Sequence, residues 1–286
     1  MAGLYNGTML TLSDHRRDYA GLTYVYPVVS RRAGGLSLGI NLNVNNACNW
    51  ACVYCQVEGL TRGGPPPVDL VLLENELECF LERLAHGDFF QREVPPHYRR
   101  LVDVAFSGNG EPSSAAEFPA AVALVRRLLE VRGLTPGVRI RLITNGSLLH
   151  RPAVQAGIRA LGEGEGEVWF KVDRLGAHAT LAVNGVRLDP GKALRNLRRC
   201  AALAPTWIQT CWFALDGAAP DSAARDAYCE FVGQVAGRIR GIHLYGLARP
   251  SQQAAAPRLG VLAESELCEF ARYIKKKTGV RTVVSP

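Results

Sequence analysis

This sequence predicts an α/β fold with parallel strands: a partial (β/α)6 TIM-type barrel preceded by an N-terminal extension. Three observations lead there. Short β-prone runs are followed, six times over, by stretches whose apolar residues recur at helical spacing. Parallel strands need crossover connections, which such helices provide, and the crossovers are right-handed. Six units are too few for a complete eight-fold barrel, and 286 residues suit one large α/β domain. No low-complexity linker or longer internal repeat divides the chain. The expected organisation is an extension over residues 1–35 and a core domain over residues 36–286.

Within the extension only the β-prone segment 22–26 stands out, ended by Pro27. The first core strand is expected over residues 38–44, where apolar and polar residues alternate. After the breaker cluster Gly63-Gly64-Pro65-Pro66-Pro67 a helix should open close to Asp69. Its Leu73, Leu77, Phe80, Leu81 and Leu84 form one buried stripe, with Cys79 beside it as a small packing residue. Residues 102–106 read as the second strand, and Phe118, Val122, Val125 and Leu129 mark the helix after it. The third strand, 138–143, leads to a helix opening at Pro152, since proline is tolerated at a first helical position. A glycine-glutamate turn over 162–166 precedes the fourth strand, 168–172, and a helix over 190–202. The fifth strand, 207–213, leads to a helix over 219–236, and the sixth strand covers 241–245. The last helix carries Leu267, Phe270, Ala271 and Ile274 on one side, and Lys275, Lys276 and Lys277 suit the negative end of its dipole.

Composition narrows the function classes. No run of about eighteen uninterrupted apolar residues exists, so no membrane span is expected. The first 17 residues lack a basic segment followed by an apolar one, which argues against a secretory signal and for the cytoplasm. Eight cysteines show no disulfide framework, and reduced thiols are the simpler account. The net charge of +7 is spread over short pairs such as Arg16-Arg17, Arg31-Arg32, Arg99-Arg100 and Arg198-Arg199. It permits an RNA or phosphorylated substrate without demonstrating one, because no nucleic-acid-binding module accompanies it.

The chemistry centres on Cys48, Cys52 and Cys55, spaced C-x3-C-x2-C directly after the first core strand. A structural zinc wants four ligands, and no second pair with suitable spacing occurs. An iron-sulfur cluster fits better, because thiolates are its preferred ligands and four irons sharing three cysteines leave one iron open. In parallel α/β folds, ligand sites form in the loops at the C-terminal ends of the strands. The second such loop is Ser107-Gly108-Asn109-Gly110-Glu111-Pro112, where glycines let the backbone approach a ligand and Glu111 can accept a hydrogen bond from an ammonium group. A glycine-rich loop is often only a tight turn. The third loop, Thr144-Asn145-Gly146-Ser147, reads equally as a ligand loop or as a helix-entry turn. Lys171 and Asp173 end the fourth strand on one face and either pair with each other or face a ligand. Gln209 and Thr210 lie on the fifth strand. Arg249, at the sixth strand's exit, can clamp an anion or lie solvated, and His243 reads as a core residue.

The cysteine spacing resembles the signature of the radical S-adenosylmethionine (SAM) enzymes, and the Gly-Asn-Gly-Glu-Pro loop is similar to that family's loop after the second strand. With the segments at 30–32, 37–42, 143–149, 171–173 and 245–250, the chain more closely resembles the radical SAM subfamily related to the wyosine-base (tRNA) synthases. The resemblance implies a [4Fe-4S] cluster on Cys48, Cys52 and Cys55. It further implies that the open iron binds SAM, and that electrons from an external one-electron reductant cleave SAM to a 5'-deoxyadenosyl radical that abstracts hydrogen from a substrate. Tyr54 would lie near the adenine, Gly108, Asn109, Gly110 and Glu111 at the methionyl amine, and Asn145 and Asp173 toward the ribose or substrate. The tRNA-modifying wyosine synthases carry a second cluster on cysteines upstream of the signature, whereas this chain has none before Cys48. A small-molecule or peptide substrate is slightly favoured over RNA, because the basic residues form no dense stripe. The rival outside enzymes is an iron-sulfur sensor or binding protein, for which a SAM loop would have no purpose.

Overall fold

The computed structural model describes residues 9–11, 17, 19–30 and 33–286; Arg16, Arg31 and Arg32 lie outside these. Eight strands form one sheet: β1 (Val25–Ser30), β2 (Gly35–Ile40), β3 (Leu101–Phe106), β4 (Arg139–Thr144), β5 (Glu167–Lys171), β6 (Thr206–Cys211), β7 (Gly241–Tyr245) and β8 (Thr282–Ser285). Each strand lies beside its neighbours in the chain, giving the order β1 to β8 across the sheet. From β2 onward every pairing is parallel. The result is a curled, open half-barrel of the partial TIM type, as the alternating pattern predicts.

The helices follow the strands they connect: α1 (Leu70–His86), α2 (Phe118–Val131), α3 (Pro152–Gly162), α4 (Ala177–Asn184), α5 (Pro190–Leu203), α6 (Ser222–Gly233) and α7 (Glu264–Thr278). Asp69 caps α1 by accepting from the Leu72 amide, and Asp189 and Asp221 cap α5 and α6 in the same way. No helix among the described residues is long and apolar enough to cross a membrane.

Two strands go beyond the six expected. β8 is a seventh parallel strand, paired with β7, and its four residues are too short a run to signal a strand alone. β1 pairs antiparallel with β2 and runs through Pro27, which was expected to end the segment. Proline is tolerated there because β1 is an edge strand, so no ladder hydrogen bond is lost on its outer side. The first core strand also ends earlier than expected, at Ile40, after which Asn41 and Asn43 fold the chain into the cysteine loop. At the entry to β1, the amides of Thr23, Tyr24 and Val25 donate to the carboxylate of Glu76 on α1, which fastens this part of the N-terminal stretch to the core.

The strand period of two divides the sheet's faces. Val104, Phe106, Ile140, Leu142, Val168, Phe170, Ile208, Ile242 and Leu244 point outward into one apolar core with the helices. The alternate residues Asp103, Ala105, Arg141, Ile143, Trp169, Lys171, Gln209, Cys211 and Tyr245 line the hollow of the half-barrel. Parallel strands buried on both faces usually read as continuous apolar runs. Here the inner face turns several charged and polar side chains into a cavity, which is why Val-Asp-Val-Ala-Phe and Arg-Ile-Arg-Leu-Ile alternate instead.

Candidate functional site

A cavity of about 320 Å³ opens at the C-terminal ends of the strands. Cys48, Cys52, Cys55 and Tyr54 line it, as do Gly108, Asn109, Gly110, Glu111, Asn145, Lys171, Gln209 and Arg249. Residues from four separate loops expected to carry chemistry, with Lys171 and Gln209 from two strands, thus meet at one mouth. Asp173 stands just behind it, lining a neighbouring cavity of about 160 Å³ that shares Trp50, Asn145 and Lys171 with the first.

The cysteine loop is anchored on both sides. Ala51 and Val53 donate their amides to the carbonyls of Asn184 and Val183, so the loop runs along the end of α4. Gly185, the residue after α4, has φ +68° and its missing Cβ would press on Ala51, so a glycine is needed on both counts. Arg62 bridges the carbonyls of Asn49 and Gly185. On the far side the Gln252 amide and the side chains of Ser251 and Gln253 reach the Cys55 carbonyl.

The glycine-rich loop is equally determined. Gly108 has φ +144° and lies against Asn41, while a Cβ on Gly110 would collide with the Ala47 carbonyl. Asn41 Oδ1 accepts from the Asn109 amide at 3.0 Å, and Asn109 donates to Asn46 Oδ1 at 2.6 Å. The Glu111 carboxylate is only 3% exposed. Its Oε1 accepts from Ser113 N, Ser113 Oγ and Thr144 Oγ1, and its Oε2 from Asn145 N at 2.7 Å. Burial pushes this carboxyl upward, and the Ser113 and Thr144 hydroxyls act against that. Glu111 thereby ties the second loop to the third. Asn145 extends the tie to the cysteine loop, donating to Asn49 Oδ1 at 2.8 Å.

Asp173 is buried and fully engaged. It accepts from Tyr54 Oη at 2.5 Å, from Asn184 Nδ2 at 2.8 Å and from the Cys211 amide at 2.9 Å. No ion pair joins Lys171 to Asp173 among the described contacts. Lys171 Nζ instead donates to Tyr245 Oη at 3.2 Å and lies 4.9 Å from the centre of the Tyr54 ring. Burial is the largest single influence on Lys171 and would lower its pKa, but Asp173, Tyr245, Cys52 and Cys211 together outweigh it and push the pKa up. Arg249 donates to Gln56 at 2.8 Å. His243 is a core residue as expected, with its ring between Trp169 and Trp207 at 4.6 and 4.5 Å. Thr210 points the other way, bonding the Val172 carbonyl and Tyr228, and is not part of the mouth.

Several participants were not foreseen. Asn184 contacts Cys52 from a helix with no sequence signal of its own. Arg174 lies over Trp212, with its guanidinium 4.2 Å from the ring centre, and donates to the carbonyls of Asp173, Cys211 and Phe213. At the cavity floor Arg141 binds Asp103 and, through Nε at 2.6 Å, Glu167; Trp169 Nε1 also reaches Glu167. The charged residues at inward positions of adjacent strands were the available signal for that network.

All three loop cysteines are free thiols lining one cavity. Burial pushes Cys48 up to about 11 and Cys52 up to about 12, so a cationic partner is needed to keep them as thiolates. Cys48 Sγ already accepts from the Trp50 amide at 3.4 Å and Cys52 Sγ from Asn184 Nδ2 at 3.3 Å. No three metal-ligating side chains among the described residues converge on a single-ion site. A four-iron cluster does not ask for that, since each thiolate binds a different iron. Three free thiols on one short loop are the donor type an iron-sulfur cluster prefers.

No family model matches the chain. Over 135 residues it is 27% identical to a "UPF0026 protein" of Helicobacter pylori, a match that takes in 46% of this chain and 38% of that protein. The structure is similar to that of SuiB from Streptococcus suis bound to the precursor peptide SuiA, with TM-score 0.59 and 13% identity, over 89% of this chain and 49% of that one. It is also similar to a radical SAM methyltransferase from Sphaerobacter thermophilus, with TM-score 0.61 and 16% identity, over 91% of this chain and 68% of the other. At such identities the likeness is one of fold, and the fold is the half-barrel found in radical SAM enzymes.

Proposed function

We propose that this protein is a radical SAM enzyme, which holds a [4Fe-4S] cluster on Cys48, Cys52 and Cys55 and uses an external one-electron reductant to cleave SAM and abstract hydrogen from a substrate. The observation that carries the reading is the meeting of three free thiols from one loop with the Gly108–Glu111 loop at a single cavity mouth. When bound, the cluster supplies the electron that breaks the carbon–sulfur bond of the sulfonium.

The chain's own residues bind and orient. Among the described residues Glu111 Oε2 accepts one hydrogen bond, from the Asn145 amide, which leaves it acceptor capacity for the methionyl ammonium of SAM. Gly108 and Gly110 keep their loop against Asn41 and Ala47, so that its backbone faces the cavity. Tyr54, fixed by Asp173, gives an aromatic wall suited to the adenine, and Asn145 lies toward the ribose. Lys171, half-buried at the end of β5, brings a positive charge to the same mouth.

For the substrate, a small molecule or peptide is favoured over RNA, because recognition inside a mouth of this size rests on few residues. The relation to the wyosine-base synthases rests on sequence segments alone. The cytoplasm, where thiols stay reduced, is the proposed location.

The test is anaerobic reconstitution with iron and sulfide, followed by SAM and dithionite. The parent should bind about four irons per chain, as a [4Fe-4S] cluster requires, and release 5'-deoxyadenosine. The Cys48→Ala/Cys52→Ala/Cys55→Ala variant should lose both properties. Full iron and sulfide in the triple variant would sink the cluster assignment. A loaded parent that never cleaves SAM would favour the sensor.

A further inference from the structure

We infer that Asn184 is a positioning residue that donates an N–H···S hydrogen bond to Cys52 and raises the reduction potential of the cluster bound there. The inference rests on the proposed cluster site and goes beyond it. Asn184 is the last residue of α4 and is 1% exposed, so water does not compete for its amide. Its Nδ2 lies 2.8 Å from Asp173 Oδ2 and 3.3 Å from Cys52 Sγ, one hydrogen for each acceptor. The amide cannot be turned over at no cost, since its oxygen would then face the Asp173 carboxylate. Asp173 is itself held by Tyr54 Oη and the Cys211 amide, which fixes the orientation. The backbone bonds of Ala51 and Val53 to α4 keep the loop and the helix end in register, so the contact does not depend on a mobile segment.

A hydrogen bond to a ligating thiolate stabilises the more negative, reduced cluster more than the oxidised one. Asn184 also interposes a donor between the Asp173 carboxylate and the sulfur, where a bare carboxylate would oppose reduction. Removing the amide should therefore make reduction harder. For a one-electron couple, a tenfold loss in the reduction equilibrium is about 59 mV.

The experiment is EPR-monitored redox titration of the reconstituted full chain and of Asn184→Leu, Asn184→Ala and Asn184→Gln, with iron and sulfide measured on each sample. Parent iron and sulfide test the cluster reading; the potentials test Asn184. With parent-like iron content, the Leu and Ala variants should titrate roughly tenfold less favourably. Asn184→Gln, which keeps an amide, should recover part of the shift. A parent-like potential in either loaded truncation overturns the inference. So does loss of the cluster from both truncations, which would make Asn184 only a clamp on the loop.

Discussion

Glu111 receives more hydrogen bonds than any ligand contact alone would require, and that sets what its removal should do. In Glu111→Ala the amides of Ser113 and Asn145 and the Thr144 hydroxyl lose their buried acceptor. The expected cost is roughly 2–4 kcal/mol of folding stability, read by denaturant unfolding, together with weaker SAM binding in calorimetry. Parent-like stability would mean that these donors find water, and that the loops are not joined through this carboxylate. Arg141 presents the opposite case, a buried cation between Asp103 and Glu167. Arg141→Met leaves two buried carboxylates facing each other and should cost about 3–5 kcal/mol, largely relieved when Asp103 is made Asn in the same chain. The remaining cysteines differ in the same physical terms. Cys79 is exposed and not the packing residue expected beside the α1 stripe, whereas Cys200 is buried and pushed up to about 12 by that burial. Mass spectrometry after brief alkylation of the loaded protein should therefore find Cys79 modified and Cys200 untouched.

At the scale of elements, α4 is the piece on which the site depends and which the sequence hid. It is only eight residues long, and Ala177–Asn184 carries no polar stripe to mark a helix face. Its end presents Val183, Asn184 and Gly185 to the cysteine loop. Gly185→Ala meets both a left-handed φ and the Ala51 backbone, so it should cost at least about 1–2 kcal/mol and displace the loop. Thermal unfolding and iron content after reconstitution should fall together. A normal iron content would show that the loop holds its place without α4. By contrast α1, α3 and α5 begin where their first residues indicated, because Asp69 and the prolines at 152 and 190 act within one turn of the chain.

For the whole molecule, the open question of partner turns on charge. The basic pairs are scattered in sequence, and many described arginines are already committed to carboxylates, among them Arg83, Arg127, Arg132, Arg141 and Arg258. Such cations have less to offer a phosphate backbone than the net charge implies. Binding of bulk tRNA to the loaded protein should be weak at physiological ionic strength. Tight binding that falls steeply with salt and competes with SAM cleavage would reverse the preference for a small molecule or peptide.

The sequence by itself determined the order of alternating elements, several helix starts, and the two loops richest in chemistry. Those signals are local: a cap, a proline, a cysteine spacing or an apolar period acts over a few residues. It also indicated the partial barrel, since parallel strands with helical crossovers have few ways to pack. Tertiary structure decided the rest. Only the sheet's order brings β1 and β8 onto its edges, and only strand register puts Asp103, Arg141 and Glu167 on one inner face. Thr144 and Asn145 as partners of Glu111, Tyr54 and Cys211 as partners of Asp173, and Asn184 as partner of Cys52 all lie far off in the chain, Asn184 being 132 residues from Cys52. Contacts across such separations leave no periodic trace in the sequence, because each depends on where the whole sheet has placed both ends.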